Sequence, residues 1–502
     1  MSTPRFLGGL TAGSVFLMTG TAGFAEVTAQ QVWDDWSGYL ESFGYGLSAT
    51  ESASGGDLVV SDIAMTIKIP EEDAELTLTM GDLTFSDNGD GTVGVSFPAS
   101  MPVTISGSGP EGPGSVTLDY ATQGFAMNVS GDPGNMVNTY SAASIAMSLR
   151  EIMVGSQAVD LGTASMEMTK LSGSTEMKVG NIRESIQKMI SGPVTYALDF
   201  TDPDNGNRIV LNGMVESLDM TADVSIPLGL DMTDMAAALK AGLALSGGYE
   251  FGPGNMSFNS TESGETMQGK SSSQGGGLSV AMSEDKLAYA LRSRDVQMEF
   301  AGGDIPFPIA LAAAEAGFDL EMPVSASEDP QPFKLGMIMG DFTMSDFIWG
   351  IFDPGAQLPR DPATIDVELT GKTTLFTDIM DPEAMEGAEA PGELNALTLN
   401  RLLVRAVGAE LTGSGDLAID NSDMTSYDGM PKPVGAVDLN LKGANGLMDT
   451  LVAMGLLPEE QAMGARMMMG MFAVPGDGED SLKSRIEFNE EGQVLANGQR
   501  LK

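Results

Sequence analysis

Apolar residues recur at every second position over most of this chain, and no other feature restricts its fold as strongly. Ile63, Met65, Ile67 and Ile69 alternate with Ala64, Thr66 and Lys68, and Leu76, Leu78 and Met80 alternate with Thr77 and Thr79. After the turn Asp87-Asn88-Gly89-Asp90-Gly91 come Val93, Val95 and Phe97. The same period continues at Val116, Leu118, Tyr120; Phe125, Met127, Val129; Ile145, Met147, Leu149; Val194, Tyr196, Leu198, Phe200; and Ile209, Leu211, Val215. It returns at Leu278, Val280, Met282; Leu287, Tyr289, Leu291; Val296, Met298, Phe300; Ile365, Val367, Leu369; and Val437, Leu439, Leu441. A side chain that faces the core at every second residue defines a half-buried strand. The intervening positions are mostly Thr, Ser, Asp, Asn and Gly, so one side of the sheet is wet.

The expected fold is therefore mainly β, with extended or curled antiparallel sheets and a few covering α-helices. Thr28 to Phe43 sets Val32, Trp33, Trp36, Tyr39, Leu40 and Phe43 at helical spacing behind a Thr28 N-cap, which predicts an amphipathic helix docked on the sheet. Further helices are expected at Asn181 to Ile190, Met232 to Leu245, Phe307 to Ala316, Ser345 to Phe352, Gly446 to Leu457 and Pro458 to Met471. The Gly- and Ser-rich stretch Ser263 to Gly277 reads as a long hairpin loop, and the acidic stretch Asp381 to Glu393 as a flexible loop. A last hairpin is expected from Ser484 to Asn489 and Gln493 to Asn497.

Composition removes several chemistries. The 502 residues contain no His and no Cys. This excludes disulfides, thiolate metal sites, thiol nucleophiles and the Ser-His-Asp triad, leaving carboxylates, Ser, Lys or Tyr for any reaction. A formal charge of -45 repels nucleic acid and anionic headgroups. The early Arg5, the apolar stretch Phe6 to Met18 and the small residues of Gly23-Phe24-Ala25 form a cleavable secretory signal over residues 1–25. The run is too short to span a bilayer. The expectation is a soluble periplasmic product, residues 26–502, of one continuous architecture and with no stable membrane insertion.

Each candidate site has a structural reading beside it. Met463, Met467, Met468, Met469 and Met471 suggest a thioether copper(I) site, but on a predicted amphipathic helix they are expected to fill the core. Asp87 to Gly91 and Asp202 to Asn207 look like calcium loops without the EF-hand pattern, so they are read as hairpin turns. Ser185-Ile186-Gln187-Lys188 has the spacing of a serine-lysine pair on a helix but lacks companion motifs. No catalytic residue, metal site or cofactor is assigned. Three functions stay open: a non-catalytic envelope protein that binds an apolar, lipid-like ligand; a structural or protein-interaction β-domain of the envelope; and, third, a carboxylate-based hydrolase.

The segment Asp341-Phe342-Thr343-Met344-Ser345-Asp346-Phe347-Ile348-Trp349-Gly350-Ile351-Phe352-Asp353-Pro354, followed by Leu358-Pro359-Arg360-Asp361-Pro362, resembles the signature of the alphaproteobacterial domain of unknown function 2125 family. Val32-Trp33, Ile305-Pro306-Phe307-Pro308, Gly413 to Leu417 and Pro433 to Gly435 are also similar to that family. The resemblance implies a cell-envelope location and supplies no activity or catalytic residue. The hairpin Leu411 to Leu441 with its following helix is more loosely similar to AsmA-type envelope proteins, whose sheets curl into apolar grooves linked with lipid handling. That resemblance implies a fold rather than a function.

Overall fold

The computed structural model describes residues 26–502 apart from 43, 70–73, 110–111, 230–233 and 304. The expected signal at residues 1–25 lies outside the described residues. Strand makes up 63% of the described residues and helix 12%, the balance that the two-residue period requires.

Followed pair by pair, the antiparallel ladders obey one rule: each crossing of the sheet bonds to the crossings before and after it in the chain. Many crossings consist of two short strands laid end to end. Gly112–Gln123 and Ala126–Asp132 share the long strand Asn135–Val154, and Ile182–Ser191 and Val194–Thr201 share Gly162–Val179. Arg208–Val215 with Leu218–Pro227, Ala244–Phe251 with Gly254–Glu262, and Glu265–Ser273 with Gly276–Met282 repeat this up to Leu287–Gly302. The described residues thus make nineteen crossings from Gly46–Ser54 to Ser481–Phe488, an open meander in which these end strands do not pair.

A row of irregular residues crosses the middle of this meander. Asp62, Gly124, Lys170, Asp295 and Asp341 have φ between 47° and 60°, a left-handed conformation that interrupts side-chain alternation. Between Lys170 and Asp295 the row continues through Gly192-Pro193, Glu216-Ser217, Gly252-Pro253 and Gly275, stitched by bonds such as Gly192 N–H to Thr169 O at 2.8 Å and Glu216 N–H to Pro253 O at 2.8 Å. The apolar positions change parity at the row. In Asn135–Val154 they are Met136, Tyr140 and Ala142 before it and Ile145, Met147 and Leu149 after it; in Ile305–Met322 they are Ile309 and Leu311, then Phe318, Leu320 and Met322. A bulge in one strand shifts its register against the next, but a bulge in every strand shifts all of them together and leaves the apolar side chains on one side. Ala142, Leu171 and Ser191 from one half and Met101, Thr122 and Val194 from the other are all buried beside the row. The row is thus a line of close packing on the apolar side.

Helices stand along both rims. On one rim lie α1 (Ala29–Ser42), α2 (Met235–Lys240) and α4 (Pro382–Gly387); on the other lie α3 (Asp346–Phe352), α5 (Ala444–Ala453) and α6 (Glu459–Phe472). As expected, Thr28 caps α1: its Oγ1 accepts from Gln31 N–H at 3.3 Å, while Gln31 Oε1 accepts from Thr28 N–H at 3.0 Å. The helix buries Val32 and Trp33 on Leu58, Val60, Phe85, Val93, Val95 and Val129, with Trp36 edge-on to Phe85 at 5.4 Å.

Several sequence expectations fail for identifiable reasons. Asn181 to Ile190 is not a helix but the strand Ile182–Ser191, bonded on both edges. Its isoleucines sit four apart, and Ile186 and Ile190 point outward at 40% and 53% exposure, while Arg183, Ser185 and Gln187 take the side that α1 covers. Phe307 to Ala316 is part of the strand Ile305–Met322 because both its edges are paired. Ser263 to Gly277 is largely the strand Glu265–Ser273. A Cβ on its Gly269 would clash with the ring of Phe258, which lies across it. Asp381 to Glu393 contains α4, capped where Ala384 N–H donates to Asp381 Oδ1 at 3.0 Å. Met232 to Leu245 is helical only over α2, and its residues 232 and 233 lie outside the described residues. The helices at Ser345 to Phe352 and from Gly446 to Met471, and the last hairpin, form within a few residues of the expected bounds.

Candidate functional site

From Asn135–Val154 onward the apolar side of the sheet is the candidate site. Paired residues in antiparallel ladders share a side. On this basis the site runs through Met147, Met166, Leu198, Leu211, Tyr249, Leu278, Leu291, Phe318, Met337, Val367, Leu402, Leu411, Leu439 and Ile486. The charged side chains that the described ladders place on that side in this stretch are Arg183 and, at the turn end of one hairpin, Glu262 and Glu265. Beyond the areas under α1 and α2, no second sheet packs there among the described residues. Met166, Tyr249, Leu291, Met298 and Met337 therefore remain 39% to 48% exposed. With buried residues along the central row and half-exposed ones to either side, this apolar surface is the open trough of the fold. Glycines opposite Tyr196, Phe251 and Phe333, at Gly213, Gly276 and Gly371, leave room for those rings to lie flat along it.

Arg183 is neutralised where α1 ends the trough. Its Nη1 lies 2.9 Å from Asp35 Oδ1, both side chains are 10% exposed or less, and its guanidinium sits 5.6 Å from the Tyr39 ring centre. Burial pushes the Asp35 carboxyl above its ordinary value, and the Arg183 charge and hydrogen bond offset this only in part. The serine-lysine spacing does not make a pair, in line with the missing companion motifs: Ser185 is buried under α1 and Lys188, three residues on, projects from the opposite side of the strand. On that outer, polar side a concavity of about 1070 Å³ is lined by Lys188, Asp223, Arg292, Asp319, Glu321 and Lys334. Arg292 there is ion-paired with Asp319 and Glu315, and Glu321 with Lys286.

The Met cluster departs from the expected core role. Met463, Met467, Met468 and Met471 on α6 are 53% to 67% exposed, and Ala462 is the helix's buried residue. The helix docks through small residues, so helical spacing alone misassigned its large ones. The candidate calcium loops are turns whose carboxylates bond to their own loops: Asp87 Oδ1 accepts from Gly89 N–H at 2.8 Å, and Asp202 Oδ1 from Asp204 N–H at 2.8 Å. Similarly, Ser426 and Lys432 hold Asp423 far below the usual carboxylate range, with Lys432 Nζ at 3.2 Å.

The signature segment builds a strap at the second rim. Asp353, fully buried, closes α3 and accepts from Gln357 N–H at 2.8 Å and Leu358 N–H at 2.9 Å. Desolvation pushes its carboxyl up, but these two bonds and the Arg360 charge outweigh it and hold the group below its ordinary value. Arg360 lies over Trp349 at 5.6 Å and bonds to Asp346 at 2.5 Å.

The described residues thus form an open antiparallel meander with one largely uncovered apolar side. The chain belongs to the family described as "Uncharacterized protein conserved in bacteria (DUF2125)", whose family model matches residues 250–501. That match takes in the signature strap and most of the open trough. No curated protein and no solved structure matches the chain. No helix among the described residues is long and apolar enough to cross a membrane.

Proposed function

We propose that this chain is a non-catalytic, exported protein of the bacterial envelope that binds lipid-like apolar ligands along its trough. The observation that carries the reading is the uncovered apolar side. Leaving so many large side chains in water is unfavourable by about 25 cal/mol per Å² of apolar surface, and an acyl chain lying on them removes both surfaces from water. The acidic outer side, with its Asp, Glu and ion-paired Arg residues, favours solubility of the loaded protein. The signal-like residues 1–25 support export to the periplasm.

The test is native mass spectrometry with lipid extraction of the protein purified from the periplasm. Lipid is expected to co-purify. A ligand-free protein that also takes up no phosphatidylethanolamine from vesicles contradicts the reading. One observation favours a second function: the exposed Met face of α6, with Phe472 beside it, suits a protein-interaction domain of the envelope. Protein partners without lipid would support that alternative.

A further inference from the structure

The trough is much longer than a lipid. We infer that it holds two or more acyl-chain ligands in series on one protein chain, an inference that rests on the lipid-binding reading. From Asn135–Val154 to Ser481–Phe488 the described residues place fourteen crossings side by side. At about 4.8 Å between neighbouring strands they span roughly 60 Å. A bilayer's hydrocarbon core of about 30 Å holds two acyl chains end to end, so one chain extends roughly 15 Å. A single lipid lying across the strands would cover about a quarter of the trough.

Among the described residues the apolar side continues well past the areas that α1 and α2 cover. Arg183 lies at the end under α1, and beyond it every crossing contributes apolar residues to the same side. Exposure is similar at widely separated points, with Met166 at 41%, Leu291 at 41% and Met337 at 48%. Met166 and Met337 are seven crossings apart, roughly 34 Å at the same strand spacing, so one acyl chain cannot contact both.

The experiment counts ligands. The full exported chain is incubated with phosphatidylethanolamine vesicles, separated from them and weighed by native mass spectrometry, alongside Met166→Asp and Met337→Asp. Both positions are partly exposed, so a charge there is compatible with folding, which circular dichroism checks. Two or more lipids are expected on the parent chain, with each variant losing part of the load and keeping the rest. One lipid at saturation overturns serial occupancy while leaving lipid binding intact, as does complete loss in one variant with no change in the other. No lipid at all is a different failure, that of the underlying function.

Discussion

The region under α1 and the region beyond Asn135–Val154 share a strand pattern and meet water very differently. Beneath α1, Val60, Phe85, Val93 and Val129 have no exposed surface, whereas Tyr249, Leu291 and Met337 are about 40% to 50% exposed. The strands do not differ in kind; what differs is the helix laid on top. Alternation specifies that a strand has an apolar side, and the covering element decides whether that side becomes a core or a surface.

The largest effect that separates the two regions should come from deleting a ring. Phe85→Ala is expected to lower unfolding stability by about 4 kcal/mol, while Leu291→Ala, already half in water, should cost less than about 1.5 kcal/mol. Urea denaturation of both variants measures this, and equal losses would erase the distinction. A slightly smaller effect is expected at the ion pair. Arg183→Met leaves Asp35 buried beside an apolar group and should cost about 3 kcal/mol, with Asp35→Leu on top of it restoring much of the loss. A double variant as unstable as the sum of the two single variants would show that the pair does not act as a unit.

The smallest effect is a pH signature with opposite signs in two parts of the fold. Asp35 has a raised carboxyl pKa, mainly through burial. Its contribution is therefore fully present below the unfolded value of an aspartate, near 3.9, and is lost as pH rises through the folded value. Asp353 is lowered, because its two backbone bonds and the Arg360 charge outweigh desolvation. Its contribution is present above the unfolded value and disappears as pH falls through the folded one. Denaturation of Asp35→Asn and Asp353→Asn, each measured against the parent from acid to neutral pH, should give differences that run in opposite directions. Parallel differences would contradict the assignment.

Much of this fold was legible from alternation, and one failure lies where a single residue changes its phase. Leu287, Tyr289 and Leu291 and then Val296, Met298 and Phe300 look like two strands, because their apolar positions switch from odd to even numbers. They form the single strand Leu287–Gly302, with Asp295 at φ 47° taking up the switch. Sequence pattern cannot distinguish a bulge from a turn when both exchange parity. The strand Ile182–Ser191 was misread as a helix because its polar residues face inward, to the Asp35 and Tyr39 of a helix about 150 residues earlier. The trough itself was legible only as an apolar side. Its openness depends on the absence of a second layer among the described residues, and no local pattern encodes that.

Oxidation of individual methionines by dilute hydrogen peroxide, read by peptide mass spectrometry with and without phosphatidylethanolamine, tests the open trough most directly. Met136 and Met177 lie 3% and 5% exposed on the side that α1 covers, whereas Met166, Met298 and Met337 line the trough and Met463 and Met467 stand on α6. Without lipid, the trough and α6 methionines should oxidise quickly and Met136 and Met177 slowly; with lipid, the trough methionines alone should become protected. Trough methionines as slow as Met136 in the lipid-free protein, or unchanged when lipid is added, would contradict the account.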